Sequence, residues 1–185
     1  MTAPPFRGIY PMLYAFFGGA HGIAVLGLAT EVGKLSPAER ADALSWTAEA
    51  LASRLPLAVT HRRSNDRETS RCGARRSRPR GRLANHSAPT RDIKEADLLR
   101  FFSAVADHVN LPVATQNAPD LIGVGLGTTA IQTMRRNHGN ITLLKGEGPV
   151  LTIRRIIKES EGTLAVFNGR AGLELTDNLR AGCPA

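Results

Sequence analysis

Between Glu95 and Arg180, short apolar runs alternate with longer stretches whose apolar residues recur at helical spacing, and no other feature limits the fold so strongly. Ala96–Val109 carries Leu98, Phe101, Phe102, Val105 and Val109 on one stripe, the pattern of an amphipathic helix. Leu111–Thr115 then reads as a strand, Thr128–Arg136 as a helix and Ile141–Leu144 as a strand. Val150–Ser160 is a helix with Ile153, Ile156 and Ile157 inward, Leu164–Phe167 a strand, and Leu175–Arg180 the start of another helix. The first third has the same rhythm. Ile9–Tyr14 and Gly22–Leu26 read as buried strands, and Leu57–Thr60 as a third. Between them, Ser36-Pro37-Ala38-Glu39 is a helix start, with Ser at the N-cap, Pro at N1 and Glu at N3, and the helix runs to about Arg54. Such alternation implies an α/β fold with a parallel sheet and right-handed crossovers. A closed barrel and an open doubly wound sheet both satisfy it.

The chain has 185 residues, a one-domain length. That is short of the roughly 250 residues of a complete (β/α)8 barrel. A net charge of +8 first suggests a nucleic-acid partner. The charge is local, however. Residues 61–93 hold ten Arg against three acids, seven of the net +8, so the rest of the chain is nearly neutral. Rich in Arg, Ser, Pro and Gly and without apolar periodicity, this segment is expected to be disordered. It reads either as a basic arm for nucleic acid or, the preferred reading, as a linker or a translated stretch that was never selected to fold. Residues 8–30 carry no formal charge, but five glycines and a proline argue against a membrane span. Cys72 and Cys183 stand far apart, and the five histidines are scattered, so neither a disulfide nor a zinc site is expected.

In either architecture the chemistry sits at the carboxyl ends of the strands. Three loops lie there: residues 27–33, 116–123 and 145–149. Lys145 ends the Ile-Thr-Leu-Leu run. A lysine ending a buried strand loses solvation, which exposes the neutral amine as a nucleophile. Glu147, two residues on, is close enough to shuttle a proton. Without wider context, a lysine merely emerging into solvent is the commoner outcome. Gly123-Val-Gly-Leu-Gly127 invites a dinucleotide reading, but the third glycine of that fingerprint would fall at Thr128, and no acidic residue follows where a ribose is read.

Together these pieces resemble the dihydrodipicolinate synthase and N-acetylneuraminate lyase family, the class I Schiff-base lyases. Residues 111–123 resemble its fifth strand and Tyr-Asn-x-Pro-x-x-Thr-Gly loop, with Asn117, Pro119 and Gly123 matching. Asn140–Lys145 resembles the sixth strand, ending in the Schiff-base lysine. Residues 22–31 resemble the second strand and its Gly-Thr-Thr-Gly-Glu loop, with Gly27 and Glu31 retained. Gly8–Pro11 is similar to the opening strand, and Phe167-Asn-Gly169 to the seventh. The likeness extends over about 150 residues, and it turns the balance at Lys145 toward the nucleophile.

The resemblance implies a (β/α)8 TIM barrel, here incomplete, with about six of the eight strands present. Residues 1–185 would then be one partial domain interrupted at 61–93. It implies a lyase whose Lys145 forms an imine with pyruvate or a 2-keto-3-deoxy acid, with Glu147 as acid/base. Gln116, Asn117 and Gly169 would line the pocket, and Thr30 and Glu31 would hold the carboxylate-side loop. No metal or organic cofactor is implied, since the imine is the electron sink. The family is homo-oligomeric, a cytoplasmic location is expected in the absence of a clear leader pattern, and neither a membrane nor nucleic acid is the expected partner. Three positions depart from the pattern. Gln116 stands at the catalytic tyrosine, Leu28 and Ala29 replace the two threonines, and Leu121 occupies a place where synthases often have a carboxylate-binding arginine. These departures lean toward the 2-keto-3-deoxy sugar-acid dehydratases. The family's first helix has no room between Phe17 and Gly18, residues 61–93 replace its third helix and fourth strand, and no eighth strand follows. A catalytically inactive remnant is therefore the alternative, with a basic-arm nucleic-acid binder behind it.

Overall fold

The computed structural model describes residues 17–27, 32–52, 54–62, 82–87 and 93–184. The strand expected at Ile9–Tyr14, residues 63–81 and residues 88–92 lie outside them. The described residues fall into two compact units, one running to His61 and taking in Arg82 and Leu83, the other holding Arg62 and Ala84 onward, so that the ends of two strands cross the division. No helix among them is long and apolar enough to cross a membrane.

The first unit contains β1 (Ile23–Val25), a 3₁₀ turn (Val32–Lys34), α1 (Pro37–Leu51) and β2 (Leu57–Arg62). β1 and β2 pair in parallel, Ile23 against Leu57 and Val25 against Val59. α1 begins where the capping pattern places it. The Ser36 hydroxyl accepts from the Glu39 N–H at 3.3 Å, and the Glu39 carboxylate accepts from the Ser36 N–H at 2.8 Å. The helix ends at Leu51, three residues before the expected Arg54, because Ala52 turns left-handed at φ 44° and breaks the repeat.

The second unit runs β3 (Arg82–Ser87), α2 (Glu95–His108), β4 (Val113–Asn117), α3 (Pro119–Ile122), α4 (Thr128–Asn137), β5 (Ile141–Gly146), α5 (Val150–Ser160), β6 (Ala165–Asn168) and α6 (Leu175–Arg180). β3 corrects the expectation of disorder for its own six residues. It lies inside the basic segment, without apolar periodicity, yet it pairs in parallel with β4, Ala84 against Val113 and His86 against Thr115. Ladder hydrogen bonds join backbone to backbone, so this pairing needs no particular side-chain pattern. β4 pairs with β5 and β5 with β6, again in parallel.

The strands from β3 to β6 therefore stand side by side in chain order. Crossovers of one hand then place every helix on the same face of the sheet, whereas a doubly wound sheet needs a reversal of strand order. This is the winding of a barrel wall. The core between strands and helices is built from Leu98, Phe102 and Ala106 of α2, Ile131 and Met134 of α4, and Ile153 and Ile156 of α5. These pack on Val113, Ile141, Leu144 and Val166 of the strands. Cys183 is the apolar closing piece, and burial pushes its thiol up from the ordinary value.

One irregularity decides which way the strand ends face. Val113 pairs with Ile141 but Ala114 pairs with Leu143, so two residues of β5 advance against one of β4. The extra residue is Thr142, which is exposed. Strict alternation would put Ile141, Leu143 and Lys145 on one face. With the step, Ile141 and Leu144 both enter the helix-side core, and Leu143 and Lys145 turn to the other face.

Two predictions follow from this packing. Thr115 is fully buried on the helix side of β4, and its hydroxyl has no hydrogen-bond partner among the described residues. Thr115→Val should raise stability by about 1 kcal/mol or more in urea unfolding, because a methyl of the same shape removes an unsatisfied hydroxyl. Asp97 accepts from the Lys94 N–H at 2.9 Å, and that bond holds its carboxyl below the usual 3.8. A depressed folded value stabilises above the unfolded value and loses that stabilisation as pH falls through the folded one. Asp97→Asn should flatten the acid limb of the urea midpoint below about pH 4 and leave the dependence above it unchanged.

A candidate active site at the ends of β4, β5 and β6

The ladder aligns the last residues of three strands. Gln116, Lys145 and Phe167 are in register, and one step further so are Asn117, Gly146 and Asn168. Alternation then divides the labour. Gln116, Lys145 and Phe167 face away from the helices, and Asn117, Gly146 and Asn168 face them. Gln116, Asn117 and Lys145 thus lie within strands, where the sequence suggested loops, because pairing with the neighbouring strand extends each ladder by two residues.

The Lys145 Nζ lies 2.9 Å from Glu147 Oε1, with the lysine side chain 38% exposed and the glutamate 11%. The same Oε1 accepts from Gln116 Nε2 at 2.6 Å. Glu147 is fixed from behind as well, since its N–H donates to the Asn117 carbonyl at 2.8 Å. Gly169 donates to the Gly146 carbonyl at 2.8 Å, which carries the chain past the amine. A Cβ on Gly169 would stand 2.5 Å from Lys145 Cε and 2.8 Å from Glu147 Cγ. Gly169 thus makes the room in which the amine and its carboxylate meet.

The helix-side residues build the support. Both ends of the Asn117 amide are taken by Leu126: Nδ2 donates to its carbonyl and Oδ1 accepts from its N–H, each at 2.9 Å. This pair closes the turn after β4. The glycines that suggested a dinucleotide loop have local reasons. Gly123 caps α3 at φ 77°, Gly125 has Asn117 Oδ1 and Pro119 where a Cβ would go, and Gly127 caps α4 with its N–H on Glu95 at 2.6 Å. Asn168 donates to the Gly148 carbonyl at 3.1 Å and to Asn178 Oδ1 at 3.0 Å, holding the turn after β5 against α6. The loop after Gly169 has Ala171, Gly172 and Glu174 at positive φ. Glu174 Oε2 holds it down, accepting from the Val150 N–H and from Arg170, both at 3.2 Å.

The structure therefore brings Gln116, Lys145, Glu147 and Gly169 together, and turns the Asn117 side chain into the scaffold. Thr30 and Glu31 lie outside the described residues. Leu121 is exposed. A separate groove of about 310 Å³ between α4 and α5 is lined by Ile131, Arg135, Ile156 and Thr163 among others and includes none of these residues. The step at Thr142 was not read from the sequence. Its signal was present, because apolar residues at 141, 143 and 144 violate a period of two.

The profile of the Dihydrodipicolinate synthetase family matches residues 13–183. YagE of Escherichia coli K12, a candidate 2-dehydro-3-deoxy-D-gluconate aldolase, is 29% identical over 159 residues, covering 84% of this chain and 52% of that protein. A 4-hydroxy-tetrahydrodipicolinate synthase of Methanosphaerula palustris is 25% identical, covering 85% and 54%. The chain thus spans about half the length of these relatives. Among solved structures, YagE in complex with pyruvate aligns with a TM-score of 0.83 at 24% identity, over 96% of this chain and 61% of that one. The dihydrodipicolinate synthase of Acinetobacter baumannii with pyruvate aligns at 0.84 and 20%, over 95% and 60%. These two likenesses establish the fold.

Gly169→Ala tests the geometry. Its φ lies outside the left-handed range and the crowded atoms, Lys145 Cε and Glu147 Cγ, are side-chain rather than backbone atoms, so the melting temperature should hold. The displaced amine should leave Glu147 for solvent. Peptide mapping should then find Lys145 acylated several-fold faster than in the parent.

Proposed function

The chain belongs to the dihydrodipicolinate synthetase family, and from that premise we propose that it is a Schiff-base lyase acting on pyruvate or a 2-keto-3-deoxy acid. The observation that carries the proposal is the Lys145–Glu147 pair, 2.9 Å apart at the carboxyl end of a parallel strand and turned away from the core. Glu147 takes a proton from the ammonium, and the amine attacks the keto carbon. Glu147 then returns the proton to the carbinolamine oxygen, which leaves as water and gives the imine. The imine draws electrons from the neighbouring carbon, so a proton lost there yields an enamine. From a 2-keto-3-deoxy acid the enamine expels a hydroxyl group, which takes up the proton lost in forming the enamine and leaves as water, the dehydratase outcome that Gln116 favours over a tyrosine relay. No metal or organic cofactor enters these steps.

In this reading Gln116 stands on the substrate side of β4, Asn117 holds the turn behind it through Leu126, Gly169 opens the space beside the amine, and Thr30 and Glu31 hold the carboxylate-side loop. The chain is read as one domain, a partial (β/α)8 barrel interrupted by its basic segment, and as a cytoplasmic protein that assembles with copies of itself, as the family does.

Borohydride trapping checks the proposal. Pyruvate and a 2-keto-3-deoxy sugar acid are each incubated with the protein, reduced and mapped by peptide mass. An adduct on the Lys145 peptide is expected, absent in Lys145→Ala and formed about 10²–10⁴-fold more slowly in Glu147→Gln. Folded protein that yields no adduct would instead be the inactive remnant.

A further inference from the structure

Gln116 and Lys145 converge on one oxygen, and only one of the two can move a proton. Gln116 Nε2 donates to Glu147 Oε1 at 2.6 Å, and Lys145 Nζ reaches the same atom at 2.9 Å. The amide does not titrate, so its hydrogen bond persists through every protonation state of the lysine. The Lys145 bond cannot persist, because the amine is consumed when an imine forms. A glutamate side chain has three rotatable bonds, and one released by its lysine is free to swing away. The backbone bond from the Glu147 N–H to the Asn117 carbonyl fixes only the root of that side chain. Gln116 is the nearer partner and is 5% exposed, held on β4 directly across the ladder from Lys145.

We propose that Gln116 is a positioning residue whose amide keeps Glu147 Oε1 at the reacting nitrogen after the lysine has become an imine, and that it acts through Glu147 rather than by binding the keto acid. The inference rests on the Schiff-base reading above and assigns Gln116 a narrower part than lining the pocket. It separates two effects that a substrate contact would merge. Losing a positioner slows proton transfer, a cost in the maximal rate. Losing a substrate contact weakens binding, a cost in half-saturation.

The test uses Gln116→Met, which keeps the shape and removes the donor, with Gln116→Ala as the second variant should the first not fold. Exchange of the pyruvate methyl protons into D2O, a step that follows imine formation, is measured against pyruvate concentration in the parent and in Glu147→Gln, with borohydride trapping at Lys145 beside it. The maximal rate should fall at least tenfold with half-saturation unchanged, and the same change should add nothing measurable in Glu147→Gln, since a positioner has no effect once its target is gone. A raised half-saturation in both backgrounds would make Gln116 a substrate contact and overturn the proposal. So would a maximal rate equal to the parent's. A parent that forms no adduct at all would remove the Schiff-base reading itself, an outcome distinct from either.

Discussion

The extra residue at Thr142 governs the rest of the site. A strand has one degree of freedom that matters here, the phase of its alternation, and a single inserted residue inverts it. β5 must supply Ile141 and Leu144 to the helix-side core, where both are fully buried. It must also present Lys145 to the other face. Positions 141 and 145 share a parity, so a regular strand cannot do both. The step between Val113 and Ala114 of β4 resolves the conflict, and Thr142, the residue passed over, is exposed and polar. Gly146 completes the arrangement by facing α5, where Ile153 leaves no space for a Cβ.

The open-face chemistry rests on helix-side order. The buried strand residues pack on α2, α4 and α5, and the amide pairs of Asn117 with Leu126 and of Asn168 with Asn178 anchor the turns that leave the strands. Side chains held this way cannot drift by the ångström that proton transfer would not tolerate. Glu147 therefore meets Lys145 and Gln116 with its backbone already bonded to β4. The strained loop after Gly169 sits at the same end, pinned through Glu174 to the first N–H of α5.

Much of this was legible in the sequence, and the illegible part has physical reasons. Strong amphipathic periods located α2 and α5 within a residue, and Ser36 and Glu39 marked the start of α1. The likeness around Asn117 and Lys145 brought Gln116, Lys145 and Glu147 into one site before any distance was known. β3 was missed because its pairing is a backbone property, invisible to apolar periodicity. Apolar periodicity left the barrel and the doubly wound sheet both open, because strand order is tertiary information, and the family resemblance alone pointed to the barrel. The Asn117 side chain was expected at the pocket, yet a strand's parity, unreadable until its ladder is known, turns it to the helix side.

Cysteine accessibility along β5 tests the phase of that strand most directly. In a Cys72→Ser background, with Cys183 buried, single changes Ile141→Cys, Leu143→Cys, Leu144→Cys and Lys145→Cys are treated with a thiol reagent under native conditions. Positions 143 and 145 should label quickly, and positions 141 and 144 only on unfolding. Labelling of 141 together with 143 and 145, with 144 alone protected, would mean an unbroken strand and would contradict the account.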